Sequence, residues 1–159
     1  MYNTNEGENF IPPGLADANN TGTPPFNSSV ESFDNWLSGY MPGLSEDDLD
    51  KVKTLYPPAG SSEAIASYND SYTRAALIFR DSVLACPGYW MAGAASKGSY
   101  LGEYSISPAK HGSDTIYVRL ISLSVPGVYD LETFAQRSKK GNDGQVKSEK
   151  YRSCLGKAT

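Results

Sequence analysis

The sequence predicts a helix-rich α/β fold that contains one or two strands of a central sheet. Three amphipathic or apolar segments with helical spacing support this, together with one alternating stretch that is typical of a strand. Several such helices need a layer to cover, yet only one or two strands are found near them. A mostly helical domain would satisfy the helices as well. We favour a sheet whose remaining strands belong to sequence missing from this chain.

Two helices are predicted from their amino-terminal signals. In each, a serine is followed three residues later by a carboxylate, as in a capping box: Ser28 with Glu31, and Ser45 with Asp48. Apolar residues at helical spacing follow both boxes, which predicts helices over 29–39 and 46–55. Pro-containing segments then end each helix.

Residues 62–95 have a mostly helical pattern, with breaks expected near 69–70 and at Cys86-Pro87. Residues 75–79 are apolar on nearly every side, which predicts a helix packed on two faces. Residues 99–107 alternate and predict a strand, with Tyr104 and Ile106 on one face. A loop carrying His111 follows Pro108. Beyond it, residues 115–125 are β-prone. Residues 1–27 are polar and rich in Gly and Pro, which favours an extended loop. The tail from residue 137 is polar and Gly-rich, which favours poor order.

Length and charge exclude several classes of protein. The chain has 159 residues, enough for one domain or a piece of a larger one, and no apolar run long enough for a transmembrane segment. Its start lacks the basic and apolar regions of a signal peptide. The net charge is −4, with +5 on residues 137–159 and −9 on the rest. An acidic body of this kind argues against nucleic acid as a partner.

The single histidine and the two cysteines limit metal chemistry. His111 has no second histidine to join it, and neither Cys86 nor Cys154 belongs to a CxxC pair, so we expect no metal site. Three Asn-x-Ser/Thr sequons would be glycosylation candidates in a secreted protein: Asn19, Asn27 and Asn69.

His111 and Glu6 are the candidate catalytic residues. His111 lies in a loop after a predicted strand, and Glu6 lies at an apparent junction of strand and loop, where α/β enzymes place catalytic groups. A carboxylate can orient an imidazole and stabilise its protonated form during acyl transfer. Taken singly, each is better explained as an exposed loop residue.

Two motifs in order resemble those of the type-B carboxylesterases, lipases and cholinesterases. Asn3-Thr4-Asn5-Glu6-Gly7-x-x-Phe10 resembles the N-x-[DN]-E-G-x-x-F segment that carries the triad acid in that family. His111-Gly112-x-Asp114 resembles the family's H-G-x-[DE] segment, which carries the triad histidine. Further segments that fit the family order are 42–57, 81–87 and 100–105.

The resemblance implies a partial α/β-hydrolase fold over residues 1–118 and a divergent basic tail over 119–159. It implies that Glu6 accepts the Nδ1 hydrogen of His111, that His111 acts as general base and acid, and that Asp114 supports them or is a simple turn residue. The intact relative would hydrolyse small-molecule or lipid esters without a cofactor. It would be secreted, and a disulfide between Cys86 and Cys154 is implied, with two unpaired thiols as the alternative.

The nucleophile of this family is missing from the chain. No G-x-S-x-G elbow and no glycine-rich oxyanion loop occur. Met1 corresponds to a position that directly follows a strand of the central sheet in that family. We therefore expect the acid-and-histidine part of a carboxylic-ester hydrolase that is not an efficient esterase alone. The alternatives are a non-catalytic secreted binding module with an α/β-hydrolase-like fold and a small independent helical domain.

Overall fold

A computed structural model describes residues 2–22, 25–63, 68–95, 99 and 101–115. The chain divides into two compact units. One contains residues 5–80, and the other contains residues 1–4 together with 81–159. The predicted tail, the domain boundary near 118 and nearly all of the β-prone segment lie outside the described residues.

Three helices form the unit of residues 5–80: α1 (Val30–Tyr40), α2 (Glu46–Leu55) and α3 (Ser71–Arg80). Two 3-10 turns, Glu6–Asn9 and Pro13–Ala16, precede them and pack against α3. The predicted extended loop over 1–27 is therefore wrong in part, since this Gly- and Pro-rich segment folds into tight turns, with Pro13 at the start of the second.

The helix over 46–55 is confirmed at both ends, and Ser45 caps it by accepting the backbone N–H of Asp48 at 3.3 Å. The first helix begins one residue later than predicted. Ser29, not Ser28, is its cap, because the Ser29 hydroxyl accepts the Ser32 N–H at 3.1 Å. The Ser28 N–H instead donates to the carbonyl of Asp17 at 3.2 Å, which ties Ser28 to the preceding loop.

Helix α3 is central to the core of this unit. As predicted from the apolar segment 75–79, it is buried along most of its length, and it contacts α1 and both 3-10 turns. The buried apolar residues of the core come from the three helices, from the second 3-10 turn and from the segment before that turn: Ile11, Leu15, Phe33, Trp36, Leu37, Leu49, Ala75, Ala76 and Ile78.

The second unit contains a π-helical segment, Asp81–Ala85, followed directly by helix α4 (Cys86–Ala94). The predicted break at Cys86-Pro87 is wrong, because the backbone is helical over 81–94, with the π-helical segment leading into α4 just before Pro87. None of the described helices is long and apolar enough to span a membrane.

Two short strands complete this unit: β1 (Tyr2–Asn3) and β2 (Glu103–Tyr104). They pair in parallel, with Tyr2 opposite Glu103 and Asn3 opposite Tyr104. The strand predicted over 99–107 is thus reduced to two residues. Ile106 was expected on its buried face but is exposed, because the chain has already left the sheet. The described part of the chain is helix-rich with a parallel pair of strands, which is compatible with the predicted helix-rich α/β class.

Candidate active site

Glu6 is a buried carboxylate at the start of a 3-10 turn. It follows β1 by three residues and retains only 3% of its exposed surface. Burying a carboxylate is unfavourable unless polar groups compensate it. A buried carboxylate at this position is therefore a candidate for a chemical role.

The neighbours of Glu6 in the motif hold its turn against α3. A Cβ on Gly7 would lie 2.0 Å from the carbonyl oxygen of Ala76, so only glycine allows this close approach. Phe10 stacks on Phe79 of α3, with ring centroids 4.8 Å apart. Glycine and phenylalanine thus have packing roles at their spacing from Glu6, whereas the acid itself is not explained by packing.

His111 lies in the other unit, in an exposed turn that follows β2. Gly112, directly after it, has a φ of +80°, a backbone conformation that favours glycine. Ala109, two residues before it, has a φ of +49° although it is not glycine, and it is buried. Strained residues of this kind persist where the surrounding structure fixes them, and they cluster at functional sites.

Asp114 lies three residues after His111 and is joined to strand β1. The Asn3 side-chain Nδ2 donates to Asp114 Oδ1 at 3.1 Å. Asn3 is buried, while Asp114 is half-buried. The turn that carries His111 is thereby tied to the strand that leads to Glu6.

The predicted catalytic residues stand in different units. The structure brings Asp114 together with Asn3 in one unit, and Glu6 is held against α3 in the other. The pairing of Glu6 with His111 therefore stays a prediction.

The predicted disulfide and glycosylation sites are placed as follows. Cys86 is disulfide-bonded at the start of α4, and Cys154 lies outside the described residues. Asn19 and Asn69 are exposed, whereas Asn27 is half-buried and its Oδ1 accepts the Ser29 N–H at 2.9 Å. The structure thus distinguishes the accessible sequons from the one that takes part in the α1 cap.

Among the described residues, no group of three or more His, Cys, Asp or Glu side chains could hold a metal ion. The aromatic residues of α1 serve the core. Phe33 and Trp36 are buried and Tyr40 packs beside them, with Trp36 and Tyr40 stacked at 5.2 Å.

Two residues with specific contacts were not assigned a role from the sequence. Asn3 opens the acid motif, but only its contact with Asp114 shows what it does. Arg74 is buried in α3, where its Nε donates to the Tyr56 carbonyl at 2.7 Å and its guanidinium lies 3.8 Å above the Phe33 ring. Burial lowers the pKa of Arg74. Its apolar neighbours in sequence were the only available signal for this.

No family model, curated protein or solved structure matches this chain. The carboxylesterase resemblance is therefore carried by its sequence motifs alone.

Proposed function

We propose that this chain is the acid-and-histidine part of a carboxylic-ester hydrolase with an α/β-hydrolase fold. The observation that supports this best is the parallel pairing of β1 with β2. The carboxyl ends of parallel strands lie at one edge of a sheet, and α/β enzymes bind their ligands beyond that edge. The motif containing Glu6 follows β1, and the motif containing His111 follows β2.

The glycines of both motifs support the proposal independently. Gly7 is required by its close approach to Ala76, and Gly112 by its positive φ. Each glycine directly follows a candidate catalytic residue. Both glycines thus have a structural role in the chain as well as a place in the two motifs.

In the proposed reaction Glu6 accepts the Nδ1 hydrogen of His111 and fixes the imidazole tautomer. His111 Nε2 takes the proton of a serine hydroxyl as its oxygen attacks the acyl carbon, and returns that proton to the departing alkoxide. Water then repeats the sequence on the acyl-serine, which releases the acid and restores the serine. The serine must come from sequence other than this chain, and the reaction needs no cofactor.

Sequencing the native transcript upstream of the Met1 codon tests the proposal. We expect a continuous reading frame that encodes a G-x-S-x-G elbow. We also expect its protein product to hydrolyse a nitrophenyl ester, with kcat falling by about three orders of magnitude or more on His111→Ala. A stop codon that closes the frame, or hydrolysis that survives His111→Ala, would overturn it.

One observation favours a second candidate function, a secreted binding module without catalysis. The π-helical segment and α4 expose three large apolar side chains, Val83, Trp90 and Met91. Exposed apolar groups that lie together mark interaction sites. A protein product that folds but hydrolyses no ester would favour this alternative.

A further inference from the structure

Asn3 makes a hydrogen bond that joins two segments distant in sequence. Its Nδ2 donates to Asp114 Oδ1 at 3.1 Å, across 111 positions of the chain. The backbone around Asn3 is held on the sheet, because the Tyr2 N–H donates to the Gly102 carbonyl at 3.1 Å and the Thr4 N–H donates to the Tyr104 carbonyl at 2.9 Å. The donor therefore stands on a fixed strand.

The acceptor stands in a compact double turn that contains His111. The Ser113 N–H donates to the Lys110 carbonyl at 2.9 Å, and the Thr115 N–H donates to the Gly112 carbonyl at 3.1 Å. These overlapping turns make residues 110–115 one short unit of backbone. Holding the carboxylate of Asp114 therefore limits how the whole turn can move.

We propose that Asn3 is a positioning residue for His111, and that it acts through Asp114. The inference rests on the proposed function, in which His111 must keep a defined orientation. His111 is exposed, so core packing does not hold its ring, whereas the bond from Asn3 joins a buried amide to a carboxylate. A hydrogen bond to an ionised acceptor is stronger than a neutral one, and losing it leaves a buried donor unsatisfied.

The same bond relates the two motifs. Two residues separate Asn3 from Glu6, and two separate Asp114 from His111. One side-chain contact thus joins the strand that precedes the acid to the turn that carries the histidine. A displacement of about 1 Å can cost a catalytic group about a hundredfold in rate, so a contact that holds the histidine turn in place serves catalysis.

The test uses the 159-residue chain and the imidazole signals of His111, its only histidine. Asn3→Asp places a carboxylate against Asp114. We expect hydrogen-exchange protection of the Ser113 and Thr115 amides to fall about tenfold, and the imidazole signals to shift. The double variant Asn3→Asp/Asp114→Asn exchanges donor and acceptor, and we expect it to restore both readouts.

Asn20→Asp is the matched control. Asn20 Nδ2 also donates a hydrogen bond, to the Phe26 carbonyl at 2.7 Å, but in the unit of residues 5–80. We expect its change to leave the imidazole signals where they are. If Asn3→Asp does not fold, Asn3→Ala removes the side-chain donor without adding charge, and the same two readouts decide.

Unchanged protection and unchanged imidazole signals in the Asn3 variant would overturn the inference, as would a double variant that restores neither. The variant Glu6→Gln distinguishes a failure of this inference from a failure of the proposed function. Imidazole signals that respond to the Asn3 variant but not to Glu6→Gln would leave the positioning role intact and remove the catalytic pair. The opposite pattern would keep the pair and remove the role of Asn3.

Discussion

Gly7 shows why a glycine follows the buried acid of the first motif. Its α-carbon lies so close to α3 that a methyl group would collide with the backbone of Ala76, which has no side-chain freedom to move away. The sequence shows a glycine at this position, but the reason lies in a contact with a helix almost seventy residues further along the chain. The sequence therefore shows the glycine but not the packing contact that requires it.

Gly7→Ala is expected to lower the free energy of unfolding by at least about 1–3 kcal/mol, because backbone must shift to relieve the contact. Urea unfolding followed by circular dichroism measures this. Gly39→Ala is the matched control, since Gly39 is an exposed residue of helix α1 with nothing within 4 Å of an added Cβ. That change should raise stability by about 0.5–1 kcal/mol. Equal effects of the two substitutions would contradict the packing described for Gly7.

The candidate catalytic residues were named from motifs that resemble those of a known family. His111 is the chain's only histidine, but Glu6 is one of eight glutamates, and motif order brought the two together as a hypothesis. Asn3 could not be assigned in the same way, because asparagine is common in the first 27 residues. Only the distance to Asp114 gives it a role.

Helix ends follow from local chemistry when the cap has no competing partner. The helix over 46–55 was predicted at both ends, because Ser45 precedes three acidic residues and two prolines follow Tyr56. At α1 two adjacent serines compete. The structure selects Ser29, since the Ser28 backbone is already bonded to Asp17. A tertiary contact therefore decides where α1 begins, and the sequence-based prediction missed that residue by one position.

Ser29→Ala should lower the free energy of unfolding by about 1 kcal/mol, because it removes the acceptor for the Ser32 N–H. Ser28→Ala keeps that cap and should cost clearly less. Thermal or urea unfolding of the two variants side by side measures the difference. A larger loss for Ser28→Ala would restore the capping box predicted from the sequence.

The start of α2 should be sensitive to acid. The Lys51 ammonium and the Ser45 hydroxyl, both hydrogen-bonded to Asp48, lower the pKa of this carboxyl below its ordinary value of 3.8. The folded chain then binds fewer protons than the unfolded chain near that pH. The contribution of Asp48 is therefore complete above about pH 3.8 and is lost as the pH falls below it.

Unfolding measured between about pH 5 and pH 3 should show a smaller acid-induced loss of stability in Asp48→Asn than in the parent chain. Asp47→Asn is the control, since Asp47 is an exposed acid in the same helical turn. An identical pH dependence in the parent and in Asp48→Asn would show that this carboxylate does not stabilise the helix start.

The strand prediction failed in length for a reason beyond local pattern. Residues 99–107 alternate, yet among those that the structure describes only Glu103–Tyr104 pair with β1. Parallel pairing joins residues about one hundred positions apart, which periodicity does not encode. The π-helical segment at 81–85 was missed likewise, since no residue pattern in it differs from that of an ordinary helix.

At the scale of the molecule, the two units each carry one candidate catalytic residue. Glu6 is fixed on α3 in one unit, and His111 is tied through Asp114 and Asn3 to the strands of the other. The chain passes between the units directly after Thr4, two residues before Glu6. The account therefore depends on whether the Glu6 carboxylate and the His111 imidazole act as a pair.

The most direct test is to measure the tautomer of His111 by nitrogen-15 NMR on the 159-residue chain. The measurement is made at about pH 8, where imidazole side chains are ordinarily neutral. A carboxylate at Nδ1 holds the hydrogen there, so we expect the Nδ1–H form to predominate. Glu6→Gln should weaken that preference, because an amide can donate as well as accept. Glu63→Gln, at an exposed glutamate, should not. A predominant Nε2–H form that ignores Glu6→Gln would contradict the account.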